Sequence, residues 1–206
     1  MLLLIPNCFA AFLTVISYGV AAILSFFITE VKSEEKTKIC LQEFKSVLYQ
    51  TVSNKSRMIF LIAVAFMTQI HQTITVFLNQ IQYEKCGLSA SSMGFVFIVI
   101  TLVGMLGVFS DKFTRKKGIK FAGASIFMTA FLTCLVLAIT NNALLSVCGV
   151  LLLNLANSLF QPLQMEEQNK QVMSNNRATE LSIYAIIIDS ICAGTSVMFG
   201  MLAKVA

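Results

Sequence analysis

Two sets of polar residues interrupt otherwise apolar runs. Thr68, His71, Gln72, Thr75 and Asn79 recur at i, i+3, i+4, i+7 and i+11, and Asn154, Asn157, Ser158 and Gln161 at i, i+3, i+4 and i+7. At 3.6 residues per turn, each set lies along one face of a helix. Hydroxyls and amides donate and accept hydrogen bonds without carrying charge. Their combined chemistry is recognition of a polar solute or bonding between helices. Two further residues could move a proton. Asp189 is the only acid deep inside an apolar run, about 12 Å from its inner end at a rise of 1.5 Å per residue. His71 is the sole histidine and also lies mid-run. Asp189 and His71 are therefore candidates for proton coupling or solute binding. Covalent chemistry has no visible machinery. There is no GxxxxGK[ST] loop, no nucleophile–base spacing and no metal-ligand cluster, so no cofactor, metal or enzyme activity is expected. The six cysteines, Cys8, Cys40, Cys86, Cys134, Cys148 and Cys192, include no CxxC pair, and four of them sit within apolar runs as small hydrophobes.

The elements that must hold these residues follow from composition. Hydrophobic residues make up 57% of the 206 and charged ones 12%, and mean hydropathy is +0.81. Soluble domains carry roughly 25% charged residues, and a membrane-spanning helix needs about 20 mostly apolar ones. Six stretches meet or approach that length: Met1–Ile28, Met58–Gln80, Ala90–Phe109, Ile119–Ile139, Ala143–Phe160 and Leu181–Ala203. The expected fold is all-α, a polytopic membrane protein of about six transmembrane helices. Barrel strands would be about 10 residues long and alternate in polarity, which these runs do not. The first run lacks a basic leader, since Lys32 is the first Lys or Arg, so it reads as a spanning helix and not a signal peptide. A polar group in lipid costs too much to leave unmet, so the two polar sets must face each other, another helix or water. Bonding between helices is the competing reading, at about 0.6 kcal/mol per pair. Two stripes of this length favour a wet cavity.

The net charge of +5 resides in alternate loops and does not indicate nucleic acid. Residues 29–57 carry Lys32, Lys36, Lys38, Lys45, Lys55 and Arg57; residues 110–120 carry Lys112, Arg115, Lys116, Lys117 and Lys120; residues 164–180 carry Lys170 and Arg177. These three loops are assigned to the cytoplasm, with Lys204 the only basic residue on the other side near a chain end. The 29–57 segment separates residues 1–28 from the five helices of 58–206. Within it Leu41, Phe44, Leu48 and Val52 repeat at helical spacing, as expected for a short amphipathic helix on the inner membrane surface. Gly87 and Ser89 read as a helix stop and a helix start.

One cytoplasmic turn is more specific than a basic loop requires. Residues 107–117 read Gly-Val-Phe-Ser-Asp-Lys-Phe-Thr-Arg-Lys-Lys. Gly107 would let a neighbouring helix approach closely, and Asp111 could face a helix N-terminus. Gly107, Asp111, Lys112, Arg115 and Lys116 match the signature loop of the major facilitator superfamily, while Thr114 replaces its second Gly. Gly87-Leu88-Ser89 with Gly94 resembles that family's entry to the helix before the signature. Arg177-Ala178-Thr179 with Leu181-Ser182 resembles the start of its eleventh helix. The chain thus resembles helices six to eleven of a twelve-helix transporter, with 29–57 as the central loop and the N-terminal half of the same transporter as its missing partner.

The resemblance implies secondary active transport of a small solute across the plasma membrane by alternating access, coupled to a proton or sodium ion. It implies that the stripe-bearing helices line the solute cavity. It implies an inner gate in which Arg115 engages Glu166 or Glu167 near Arg177, and an Asp111 that faces a helix of the absent half. The lipid bilayer is the remaining partner. A polytopic protein without transport activity, serving as a sensor or assembly partner, and an inactive transporter fragment are the alternatives.

Overall fold

The computed structural model describes residues 4–28, 41–172 and 177–203. Among them every regular element is helical. The chain divides into two units, 1–39 and 40–206. The first contains α1 (Leu4–Ser25), whose side chains from Phe12 onward are exposed and largely apolar. The second contains α2 (Leu41–Ser53), α3 (Lys55–Lys85), α4 (Ala90–Lys116), α5 (Ile119–Ile139), α6 (Ala143–Gln171) and α7 (Arg177–Ala203). Helices α3 to α7 are long and apolar enough to cross a membrane. The chain is therefore an integral membrane helix bundle.

Helix ends fall where the capping chemistry puts them. Asn54 Oδ1 accepts from the backbone N–H groups of Ser56 and Arg57, Ser89 Oγ from that of Ser92, and Asn142 Oδ1 from those of Leu144 and Leu145. Gly87 takes the left-handed conformation (φ +77°) between α3 and α4, the stop expected there. The helices outrun their apolar cores. Helix α3 begins at Lys55 and reaches Lys85, α4 reaches Lys116, and α6 reaches Gln171, because Lys, Arg, Glu and Gln propagate a helix once it has left the lipid. The signature turn also moves. Thr114 stays helical, its hydroxyl bonded to the Ser110 carbonyl, and the chain turns at Gly118 (φ +81°) instead.

Helix α6 is central. Leu153, Ala156, Phe160 and Leu163 on it join Leu61, Val64, Ala65 and Met67 of α3, Ile126 and Ala130 of α5, and Tyr184 and Ile188 of α7 in one core. Two glycines set the spacing around it. A Cβ on Gly149 would stand 2.9 Å from Leu137 Cδ2, and one on Gly107 would stand 2.6 Å from the Ser158 carbonyl oxygen. That carbonyl has lost its usual donor, because Pro162 four residues on has no N–H. The hydrogen that replaces Cβ on Gly107 points at it, a weak Cα–H···O contact. One turn along, Ser110 Oγ donates to the Leu159 carbonyl at 2.6 Å. The proline break in α6 is thus clasped by α4.

The amphipathic helix of the 29–57 segment forms as α2 and packs on α3 and α7. Its covered face uses Phe44, Val47, Leu48 and Thr51; Val52, assigned to that face by spacing, is half exposed. Thr51 is fully buried with its hydroxyl on the Val47 carbonyl, so a self-satisfied polar residue takes the place expected for valine.

Candidate functional site

Helices α3, α4 and α6 border an open cavity of about 820 Å³. Thr68, His71, Gln72, Thr75 and Val76 line it from α3, and Asn157, Ser158, Gln161, Pro162, Gln164 and Met165 from α6. The two polar stripes therefore meet across one space. The third wall was not legible in the sequence: Gly104, Met105, Gly107 and Val108 of α4 contribute backbone and apolar groups, which carry no polar periodicity. Two departures from α geometry border the cavity. In α3, Thr73–Leu78 is a π-helical turn, and in α4, Met105–Phe109 is a 3₁₀ turn.

The π turn explains one correction. Asn79 was placed on the α3 stripe by a period of 3.6, but wider winding through Thr73–Leu78 turns it away. It borders two other pockets, one beside Cys134 and Leu137 and one beside Tyr83 and Phe97. Asn154 is the second correction. It does not line the cavity but stands behind it. Its Nδ2 donates to the Ile100 carbonyl at 2.8 Å, and its Oδ1 lies 3.2 Å from His71 Nε2.

The remaining polar lining is notable for its lack of protein partners. The side chains of Thr68, Gln72, Asn157, Ser158, Gln161 and Gln164 form no hydrogen bond with any described residue. Thr75 bonds only its own helix, at the His71 carbonyl. Bonding between helices occurs elsewhere. Gln69, buried and absent from the expected stripe, donates to Ser196 Oγ of α7 at 2.8 Å and to Thr73 Oγ1 at 3.1 Å. The signal for Gln69 was its polarity on the face of Leu61 and Ala65, away from the stripe of Thr68, His71 and Gln72.

Asp189 borders a different pocket, of about 420 Å³, between α3, α6 and α7. Gln168 and Asn169 join it there, and Thr68, Gln164 and Met165 line both spaces. Asp189 makes no ion pair or hydrogen bond among the described residues and does not meet His71 in one pocket.

The charges at the other end of the helices pair locally. Arg115 meets Asp111 at 2.9 Å on the same helix, and both are exposed. Lys170 meets Glu166 at 2.7 Å and Glu167 at 3.0 Å, again within one helix. Arg177 donates to Asn169 Oδ1 at 2.8 Å. Lys112 lies over the Phe109 ring at 5.3 Å, and Lys116 is exposed. Arg115 is therefore not joined to Glu166 or Glu167 here, as the resemblance implied, because Asp111 one turn away and Lys170 one turn from each glutamate are nearer partners. Sequence reading also missed Arg57, whose Nη2 donates to the Gln171 carbonyl at 3.1 Å and caps the end of α6.

Residues 6–195 match the family model described as Major Facilitator Superfamily. Neither the curated proteins nor the solved structures contain a match to the chain.

Proposed function

Because the chain belongs to the Major Facilitator Superfamily, a family of membrane transporters, we propose that it supplies one half of a secondary transporter that moves a small solute by alternating access. One observation carries this reading. Six polar side chains converge from two helices on one cavity, yet none has a protein hydrogen-bond partner among the described residues. Polar groups held as interhelical glue would bond one another, as Gln69 and Ser196 do. Groups left free inside a membrane protein need water or a solute. The opposite wall of the cavity would come from the other half of the transporter, and the two halves would rock about the site between them.

The π turn of α3 and the 3₁₀ turn of α4 suit such movement, because irregular turns concentrate bending at single points. Asp189, unpaired in the adjoining pocket, is the proposed coupling residue for a proton or sodium ion. The Lys and Arg distribution supports a cytoplasmic side for the 29–57, 110–120 and 164–180 segments, with α2 at the inner membrane surface, and a plasma membrane is the proposed location. Asp111, Arg115, Glu166, Glu167 and Arg177 would then stand at the inner gate and exchange their local partners for groups of the other half.

The test is alternating exposure of one position. A cysteine in place of Thr75, in the complete transporter without its other cysteines, should react with an impermeant thiol reagent applied to either face of sealed vesicles. Solute should change the ratio of the two rates. Reaction from one face only, unaffected by any solute, would leave a static pocket and contradict transport by alternating access.

A further inference from the structure

One contact in the cavity wall is fixed by a chain of hydrogen-bonding constraints. The Ile100 carbonyl of α4 can only accept, so Asn154 must present its NH2 group there, at 2.8 Å. The Asn154 amide oxygen is then turned toward His71, 3.2 Å from Nε2. That oxygen also only accepts. His71 must therefore donate from Nε2, and in the neutral ring Nδ1 is left as an acceptor. A second observation concerns charge. Among the described residues no Asp, Glu, Lys or Arg lines this wall of the cavity, and Asp189 borders the adjoining pocket instead. A charged solute, or an imidazolium, would shed water there without meeting a counter-charge.

We propose that the cavity takes an uncharged, hydroxyl- or amide-bearing solute that donates a hydrogen bond to His71 Nδ1, and that Asn154 is the positioning residue that selects this tautomer. The proposal rests on the transport reading and adds its substrate class. Hydroxyls and amides elsewhere in the wall can both donate and accept, so they tolerate many polar solutes. The neutral His71 ring, held by Asn154, would be the position that demands a donor.

Two measurements in lipid nanodiscs test it, the first on this chain and the second on the complete transporter. His71 is the only histidine, so imidazole-nitrogen NMR reads its tautomer directly. The Nε2-protonated neutral ring should predominate at neutral pH, and Asn154→Leu should give a mixture of tautomers. An Nδ1-protonated or doubly protonated ring in the unsubstituted chain, or an unchanged ring in Asn154→Leu, would overturn the relay. For the solute class, measured in the complete transporter, the native cysteines, including the six of this chain, are replaced by serine and one cysteine is placed at Gln161. Neutral hydroxyethyl, cationic trimethylammonioethyl and anionic sulfonatoethyl methanethiosulfonates are compared, each normalised to its rate with 2-mercaptoethanol. The two charged reagents should agree within about threefold, because a cavity without fixed charge does not concentrate either sign. A preference of about tenfold or more for one sign would reveal a fixed charge and overturn the uncharged class. If none of the three reagents reacts, the cavity is dry, and the transport reading falls with the proposal. A failed tautomer measurement alone leaves that reading intact.

Discussion

Helix α3 presents two polar faces that behave in opposite ways. On one, Gln69 is buried and its amide nitrogen is tied to Ser196 of α7 and to Thr73 of its own helix. Cys192 adds a contact to the Ala65 carbonyl at 3.5 Å along the same seam. On the other, Thr68 and Gln72 look into the cavity with no protein partner, and His71 is the one residue there that reaches across to another helix. Residue type does not separate the faces, since both use amides and hydroxyls. What separates them is the neighbour. Helix α7 closes on the first face, whereas α6 and α4 hold the second open with a proline, two glycines and a 3₁₀ turn, beside the π turn of α3 itself. Polar residues inside a membrane protein thus report function only once their partners are known.

The largest effect is expected from closing that contrast at its hinge. Gly107→Val would drive a side chain into the Ser158 carbonyl, 2.6 Å from the Cβ position, where backbone cannot yield as a flexible side chain could. A loss of about 1–3 kcal/mol, the usual cost of overpacking, should appear as a lower unfolding midpoint in detergent. An unchanged midpoint would mean that α4 and α6 do not touch there. Next comes the engaged face. Gln69→Leu removes a bond to α7 and should cost on the order of 0.6–1 kcal/mol in the same assay. The open face should respond in the opposite sense. Asn157→Leu, which breaks no protein hydrogen bond, should shift the midpoint by less than about 0.5 kcal/mol, or raise it, while impairing solute movement in the complete transporter. A large destabilisation by Asn157→Leu would make the two faces alike and remove the contrast. The smallest effect belongs to the exposed ion pair. Arg115→Ala should alter stability by less than about 0.5 kcal/mol, because Arg115 and Asp111 are bathed by solvent and joined only along one helix.

The bundle itself was legible from the sequence because hydropathy and caps are local properties. Ile119–Ile139 needed no adjustment, since Gly118 and Thr140 bound it on both sides and no charge extends it. The polar stripes were legible through Thr68–Thr75, where the π turn had only begun, and through Asn157–Gln161, and failed at Asn79, beyond the π turn. Sequence reading could not see that Asn154 bonds the backbone of another helix, because the Ile100 carbonyl has no side-chain signature. The α4 wall was invisible for a similar reason: glycine and methionine carry no polar pattern. Asp189 was visible as an acid in an apolar run, but its pocket depends on how three helices meet. Arg115 was assigned a distant acid, where Asp111 is one turn away.

The contrast between the two faces of α3 is tested most directly by water contact. Single spin labels at Gln69, Gln72, Asn157 and the exposed apolar position Leu152 can be compared in bilayers by relaxation with a water-soluble nickel chelate and with oxygen. Labels at Gln72 and Asn157 should relax with the chelate, the label at Leu152 with oxygen, and the label at Gln69 with neither. Equal shielding from the chelate at Gln72, Asn157 and Gln69 would contradict the account, for the cavity would then be a dry seam like its neighbour.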